Sequence, residues 1–217
     1  NAGSAGTLSG PLTINTGAVV VTKVANALGY LGTPWVRTIN LNHGTLATAI
    51  AGADTGWGLT INMNGGSITS LVPLAYFSMG ATPVVNTAAT DHPAVIAADL
   101  TVRDHITFNV ARGSAPADLL INGNLRFASV NMGIIKSGVG VLVLSGTNTY
   151  SGGTQIKGGV LSADLVADGV GNLSRIGVAG GSTNYLALQD GTLRYTGTGT
   201  NTTTRFLWID QPQAGSS

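Results

Sequence analysis

The sequence predicts an all-β protein, a right-handed parallel β-helix whose chain winds through stacked rungs. Composition is the first observation behind this prediction. Glycine contributes 32 of the 217 residues, 43% of residues are hydrophobic and only 9% are charged, against a usual charged share of about 25%. Surface helices carry charged residues on their outer faces, whereas Thr, Asn and Gly, which suit strands and corners, supply the polar positions here. The alternative is that part of the chain forms an irregular β-sandwich or prism.

A recurrence is the second observation. It consists of an apolar residue, two further residues, a glycine, one residue and a second apolar residue, so it is expected to place a tight turn between two inward-pointing side chains. Its copies are Leu41…Gly44…Leu46, Met63…Gly66…Ile68, Ile156…Gly159…Leu161 and Leu188…Gly191…Leu193. The first two copies are 22 residues apart, which suits one rung. With ~20 to 25 residues per rung, the chain makes about eight to ten rungs and a rod of ~40 Å.

The third observation is the segment 136–161, where two short alternating apolar runs flank a corner rich in Gly, Ser, Thr and Asn. This pattern predicts strand, turn, strand. The positions that define it are Lys136, Gly138, Gly140, Leu142, Leu144, Gly146, Asn148, Tyr150, Gly152, Gly153, Thr154, Gly159 and Leu161. In this order they resemble the autotransporter-associated β-strand repeat, and residues 136–161 are its best-matched copy. The resemblance extends on both sides over roughly the second half of the chain.

The resemblance implies a non-enzymatic structural segment of a secreted β-helical protein that is displayed at the bacterial outer membrane, as a stalk or adhesin-like passenger. It also implies an outer-membrane β-barrel in the parent chain. Residues 1–217 are interpreted as one solenoid segment of a longer passenger. Two other functions stay open: a self-assembling extracellular fibre subunit, and a polysaccharide-binding or polysaccharide-cleaving β-helix protein. Self-association through the solenoid ends and a host or surface glycan are the corresponding candidate partners.

Charge and cysteine content exclude several other classes. The net charge is +1, so the chain has no basic stripe for phosphates and nucleic acid is not an expected partner. The absence of cysteine excludes disulfides and thiolate metal sites. Residues 69–98 interrupt the apolar pattern with Pro73, Pro83 and Pro93, and proline removes donors from a strand ladder. They are predicted to form a Pro-interrupted loop or an irregular rung.

Carboxylates are the first candidates for chemistry, since polysaccharide-cleaving β-helices use acidic side chains in a groove. Asp99 with Asp118, and Asp168 with Asp190, have roughly the spacing of one rung. We expect these residues to be solvated corner aspartates, because no Asp-Asp pair or Gly-His-Gly word accompanies them. No catalytic, metal-binding or cofactor-binding residue is therefore predicted.

Histidines, tryptophan and asparagines complete the candidates. His43 falls at a predicted corner, while His92 and His105 each follow an aspartate; strand neighbours point to opposite faces, so these adjacent pairs are not expected to share a site. Trp57, between two glycines, is the best candidate for stacking on a sugar, although filling the end of a rung is the simpler role. A set of asparagines recurs at strand ends and is expected to bond rung to rung: Asn15, Asn40, Asn42, Asn62, Asn64 and Asn122.

Overall fold

The structure is a computed structural model that describes residues 10–29, 36–168, 174–178 and 185–210. Within these ranges the chain forms strands joined by turns and by longer connections, and it contains no helix, hence none long and apolar enough to cross a membrane. The strands in chain order are β1 (Leu12–Ile14), β2 (Val19–Thr22), β3 (Thr38–Asn42), β4 (Thr45–Thr48), β5 (Gly52–Trp57), β6 (Thr60–Asn64), β7 (Ser67–Ser70), β8 (Ala75–Gly80), β9 (Val84–Thr87), β10 (Ala94–Ile96), β11 (Asp99–Val102), β12 (Ile106–Val110), β13 (Leu119–Ile121), β14 (Leu125–Phe127), β15 (Ile134–Ser137), β16 (Val141–Leu144), β17 (Thr154–Ile156), β18 (Gly159–Ala163), β19 (Tyr185–Gln189), β20 (Gly191–Tyr195) and β21 (Phe206–Asp210).

Three parallel sheets make up the walls of a β-solenoid, since consecutive strands belong to different sheets and each strand pairs with strands one rung away. The first sheet has nine strands in the order β1-β3-β6-β9-β12-β15-β17-β19-β21. The second has eight, β2-β4-β7-β10-β13-β16-β18-β20, and the third has four, β14-β11-β8-β5. The all-β, parallel solenoid predicted from the sequence is thereby confirmed.

The predicted recurrence sets the register between rungs. Leu41 of β3 pairs with Met63 of β6, and Leu46 of β4 pairs with Ile68 of β7. The two later copies of the recurrence stack on each other in the same way. The glycine of each copy therefore marks the corner at which the chain passes from the first sheet to the second.

Rung length varies along the solenoid. The register partners Lys136 and Ile156 are 20 residues apart, whereas Ile156 and Leu188 are 32 apart. The extra residues extend the connections and leave the strands in register. Strand stacking, and not a fixed repeat length, holds the rungs together.

The core is a set of parallel rows of inward-pointing side chains, one residue per rung. One row of the first sheet contains Ile39, Ile61, Val85 and Phe108, whose exposed fractions are 0–2%. Burial of such a side chain is worth about 1.5–3 kcal/mol. The hydrophobic core is therefore a column inside the solenoid, and every rung adds to it.

Residues 69–98 form a rung of three strands like those before and after it. They contain β8, β9 and β10, which lie in the third, first and second sheets. Pro83 and Pro93 stand immediately before β9 and β10, and Pro73 lies in the turn before β8. At these corners proline removes no ladder donor. The prolines therefore lie before the strands and do not interrupt them; that residues 69–98 form an irregular rung stays a prediction.

The corners are too close together to admit most side chains. A Cβ atom added to Gly44 would lie 2.5 Å from the carbonyl oxygen of Ile14 in the preceding rung, and one added to Gly66 would lie 2.5 Å from the carbonyl oxygen of Gly44. Gly66 also has a φ of 78°, which disfavours residues with a Cβ atom. The high glycine content of the sequence follows from this column of stacked corners.

Candidate functional site

Lys136 lies inside the solenoid, in the row of the first sheet that otherwise holds apolar residues. Its neighbours in register are Phe108 and Ile156, and it is fully buried. Its Nζ atom donates hydrogen bonds to the carbonyl oxygens of Ser137 and Gly138, both at 2.8 Å, and of Gly158 at 3.0 Å. Burial lowers the pKa of Lys136 to about 8, opposed by the negative charge of Asp118. The ammonium group thus ties its own corner to the corner of the next rung.

Asn148 and Tyr150 shape the opposite corner of the same rung. The Oδ1 atom of Asn148 accepts a hydrogen bond from the backbone N–H of Leu125 at 2.7 Å, and its Nδ2 atom donates to the carbonyl oxygen of Arg175. Asn148 is buried. Its amide oxygen satisfies a backbone N–H of β14, the last strand of the third sheet, where no further strand pairs with it. Tyr150 is also buried, its hydroxyl lies 2.8 Å from Oγ1 of Thr154, and burial raises the pKa of that hydroxyl.

The other positions of the motif either fill the core or allow rungs to approach. Leu142, Leu144 and Leu161 are in the core, with exposed fractions of 0–1%. Several glycines lie where a Cβ atom would come within 2.2–2.6 Å of a neighbouring rung: Gly138, Gly140, Gly146, Gly152, Gly153 and Gly159. Each of the thirteen motif positions therefore has a structural contact, and none presents a reactive group to solvent.

The first predicted carboxylate pair does not form a groove. Asp99 accepts hydrogen bonds from the backbone N–H and the side-chain amide of Asn124, at 2.8 and 3.0 Å. Asp118 is 2% exposed and accepts hydrogen bonds from Arg112 and from the backbone N–H groups of Gly113 and Val141. The expectation of a solvated aspartate is therefore wrong for Asp118, because an ion pair and two amides hold it inside a corner.

The second predicted carboxylate pair also supports the backbone. Asp168 accepts hydrogen bonds from the Thr203 hydroxyl at 2.6 Å and from the Thr204 hydroxyl at 2.8 Å, which hold the pKa of its carboxyl below the usual range. Asp190 occupies a turn with a φ of 64°, a conformation that Asp tolerates better than most residues. Asp168 thus lies in a connection between rungs, and Asp190 lies at the corner between β19 and β20.

Asparagine amides form a ladder on the outer face of the first sheet. The Nδ2 atoms of Asn62 and Asn86 donate to the Oδ1 atoms of Asn40 and Asn62, both at 2.9 Å, and Asn109 continues the ladder to Asn86 at 3.3 Å. Asn42 bonds to Asn15 at 3.1 Å, while Asn122 accepts from the hydroxyl of Ser145. The predicted rung-to-rung bonding is confirmed for these pairs. Asn86 and Asn109 were missed, although both lie in register with Asn62.

A shallow polar groove runs along this ladder. Its lining residues are Thr13, Asn40, Asn42, Asn62, Met63, Asn64, Asn86, Thr87 and Ala88. The lining contains no charged side chain, so the groove can offer neutral amide and hydroxyl groups to a ligand. It carries no arrangement of acid and base for proton transfer.

Two histidines come together at one corner of the solenoid. His43 and His92 are exposed, and their ring centroids are 4.7 Å apart. Nδ1 of His92 lies 2.5 Å from Oδ1 of Asp91, so the expectation that adjacent Asp–His pairs cannot share a site is wrong here. The two residues occupy a bend and not a strand, and strand alternation does not apply. At His105 the backbone N–H, and not the ring, donates to Asp104 at 2.7 Å.

The third sheet carries a polar cluster that the sequence analysis did not anticipate. The guanidinium of Arg126 lies over the ring of Tyr76, 4.7 Å from its centroid, and 4.0 Å from Oδ2 of Asp99. Register between non-consecutive strands creates this cluster, so only the pairing of β8, β11 and β14 could have revealed it. The side chain of Trp57, the candidate for sugar stacking, lies outside the described part of the structure.

A parallel β-solenoid whose corners are built from this motif is a passenger-type repeat structure. Residues 134–163 match the family model of the passenger-associated-transport-repeat, so the chain carries an autotransporter passenger repeat. It is similar to the Adhesin BmaC autotransporter of Brucella suis biovar 1 (strain 1330), with 38% identity over 105 residues. The matched region covers 45% of this chain and 3% of the relative, so the chain spans a small part of that protein. No solved structure matches the chain.

These comparisons bear on the class and location of the protein. The passenger repeat and the autotransporter relative support a secreted protein displayed at the cell surface. They also support a surface passenger role for the solenoid described above. The three lines of observation, fold, repeat and relative, therefore converge on one class of protein.

Proposed function

We propose that this chain is a non-enzymatic structural segment of an autotransporter passenger, a stalk that holds adhesive surfaces away from the cell. The observation that carries this proposal is the continuity of the first sheet, in which nine parallel strands stack without interruption. The passenger repeat contributes β15 and β17, the sixth and seventh of these nine strands. Eight steps of about 4.8 Å give a length of roughly 40 Å for this segment.

The engagement of the polar side chains supports a structural role. Among the described residues, the buried Lys136, Asn148 and Asp118 all hydrogen-bond to backbone groups at corners. A general acid or base has to reach a substrate, and these groups are turned away from solvent. A stalk needs no more than this internal bonding.

Adhesion and membrane anchoring are the finer parts of the proposal. The relative is named an adhesin and an autotransporter, so we expect the parent chain to contain an outer-membrane β-barrel and to take part in attachment. The uncharged amide groove is the described surface best suited to a host or surface glycan, because amides both donate and accept hydrogen bonds.

The purified chain tests the proposal in two assays. Electron microscopy is expected to show single rods of about four nanometres. Incubation with a panel of neutral and acidic polysaccharides is expected to release neither reducing ends nor unsaturated uronates, with heat-unfolded chain as the control. Release of either product by the folded chain alone would refute the non-enzymatic assignment.

A self-assembling fibre is the second candidate function, and strand β21 favours it. Phe206, Leu207, Trp208 and Ile209 are 52–70% exposed at the edge of the first sheet. An exposed apolar edge strand is a template for pairing with another chain. Filaments in electron micrographs that disappear in Leu207→Lys, and persist in the control Val139→Lys on a side corner, would establish the fibre.

A further inference from the structure

We propose that His43 and His92 form a two-histidine site for a late first-row divalent cation, such as Zn²⁺, that clasps two non-adjacent rungs at one corner of the solenoid. The proposal is independent of the stalk function. It rests on the meeting of the two imidazoles across a glycine and on the carboxylate that orients one of them.

The corner between the first and second sheets brings the two rings together. His43 follows β3, His92 precedes β10, and Gly65 occupies the same corner in the rung between them. A Cβ atom at Gly65 would lie 2.9 Å from Nε2 of His92 and 3.2 Å from Nε2 of His43. Both nitrogen atoms therefore border one gap that exists because residue 65 has no side chain. Both imidazoles are exposed, so small rotations can bring both Nε2 atoms onto one ion.

Asp91 prepares His92 for this role. Its Oδ1 atom lies 2.5 Å from Nδ1 of His92, within hydrogen-bond distance. A carboxylate that accepts a hydrogen bond from Nδ1–H leaves the Nε2 lone pair free to bind a metal. Such a carboxylate is a usual orienting partner of a metal-bound histidine. The nearby negative charge also favours a cation at the gap.

The donor set selects the kind of ion. Imidazole nitrogen suits zinc, copper and nickel, whereas calcium and magnesium require oxygen ligands. Within the described ranges no group of three or more His, Asp, Glu or Cys side chains is arranged to hold a metal. The site therefore supplies two protein ligands, and its remaining positions are open to water or to a group from another molecule.

Zinc titration of the full, tag-free chain by calorimetry tests the site. We expect one equivalent of Zn²⁺ to bind, and this binding to be lost in both His43→Gln and His92→Gln. Asp91→Asn should weaken the affinity by about 10- to 100-fold, the usual effect of removing an orienting partner. His105→Gln is the matched control, since His105 also follows an aspartate but has no described histidine beside it; this variant should bind as the wild type does.

Thermal unfolding provides a second readout. Zinc should raise the melting temperature of the wild type and of His105→Gln, because a ligand that binds only the folded chain stabilises it. Calcium should have no effect, and a chelator should reverse the effect of zinc. Absence of zinc binding to the wild type overturns the proposal. Equal binding by His43→Gln and His92→Gln, with native circular dichroism, overturns it as well.

Discussion

Lys136 is a buried cation at an inward position that apolar residues occupy in the neighbouring rungs. It lies in register with Phe108 and Ile156, yet it is buried as completely as they are. Three carbonyl oxygens accept hydrogen bonds from its Nζ atom, which matches the three donors of an ammonium group. The lysine of the motif is thus a cross-link between corners and contributes little to the surface.

The pKa of Lys136 predicts a dependence of stability on pH. This pKa falls from 10.5 to about 8 on folding, so between these values the unfolded chain binds more protons at this residue. The free energy of unfolding should therefore rise with pH over that interval, on the order of 1–3 kcal/mol. Urea unfolding from pH 7 to 10 measures the rise, which Lys136→Met should lack.

The exposed Lys157 offers the control for this experiment. Lys157→Met should retain the pH dependence of the wild type, because the Lys157 side chain is exposed and its removal leaves the buried Lys136 in place. A pH dependence that is the same in the wild type and in Lys136→Met would contradict the assignment.

The corners of the solenoid tolerate amino-acid substitution less than its strands do. Strands of the first sheet accept Ile, Val, Phe, Met and even Lys at inward positions. The corner glycines accept no substitute where the carbonyl of the preceding rung occupies the Cβ position. Glycine therefore recurs in the repeat at the positions where two neighbouring rungs approach too closely for a Cβ atom.

Two neighbouring corner glycines should differ in their response to alanine. A Cβ atom at Gly140 would lie 2.4 Å from the carbonyl oxygen of Ala111, whereas one at Gly158 would lie 3.2 Å from that of Gly138. Gly140→Ala should destabilise the chain by about 1–3 kcal/mol, the cost of overpacking. Gly158→Ala should stay within about 1 kcal/mol of the wild type, since reduced freedom of the unfolded chain offsets the tight contact. Denaturant unfolding measures both; equal losses would disprove the corner argument.

The whole molecule is quasi-one-dimensional. Each strand pairs only with strands of the rungs directly above and below it, as in other solenoids, whose stability is close to a sum of repeat and nearest-neighbour contributions. Rungs at the two ends of the first sheet have one neighbour, and inner rungs have two. Stability should therefore fall from the middle towards the ends.

Hydrogen exchange measured by mass spectrometry tests this gradient. Amides of β1 and β21, at the ends of the first sheet, should exchange well before those of β9 and β12 in its middle. The reason is that an end rung can open after losing one interface. Uniform protection along the sheet would show instead that the solenoid opens as a single cooperative unit.

Much of this architecture could be predicted from short sequence patterns that recur along the chain. The copies of the recurrence, with Leu41 and Met63 as its first positions, gave the register of the first two sheets, and the asparagines of β3 and β6 gave the amide ladder. These features repeat at fixed positions in each strand, so the sequence displays them directly. The repeat at 136–161 was visible for the same reason.

Features that no recurring sequence pattern marks could not be predicted. The strands of the third sheet share no sequence pattern, and they are recognised only by their pairing. The proximity of His43 and His92 arises because corners of different rungs stack, and the burial of Lys136 depends on which face of β15 turns inward. The missing information was therefore three-dimensional: a contact between residues remote in sequence, or the face of a strand that turns inward.

The stacking of the first sheet also determines how a passenger of this kind would bear a load. Hydrogen bonds between parallel strands lie across the strands, and in this solenoid that direction is the long axis of the rod. A pull along the axis would be transmitted through successive interfaces in series, each carrying the same tension. The rod would yield at its weakest interface, for example beyond β14, where the third sheet has ended and only two sheets join successive rungs. Extra rungs would extend the reach of such a tether without raising the force at which it parts.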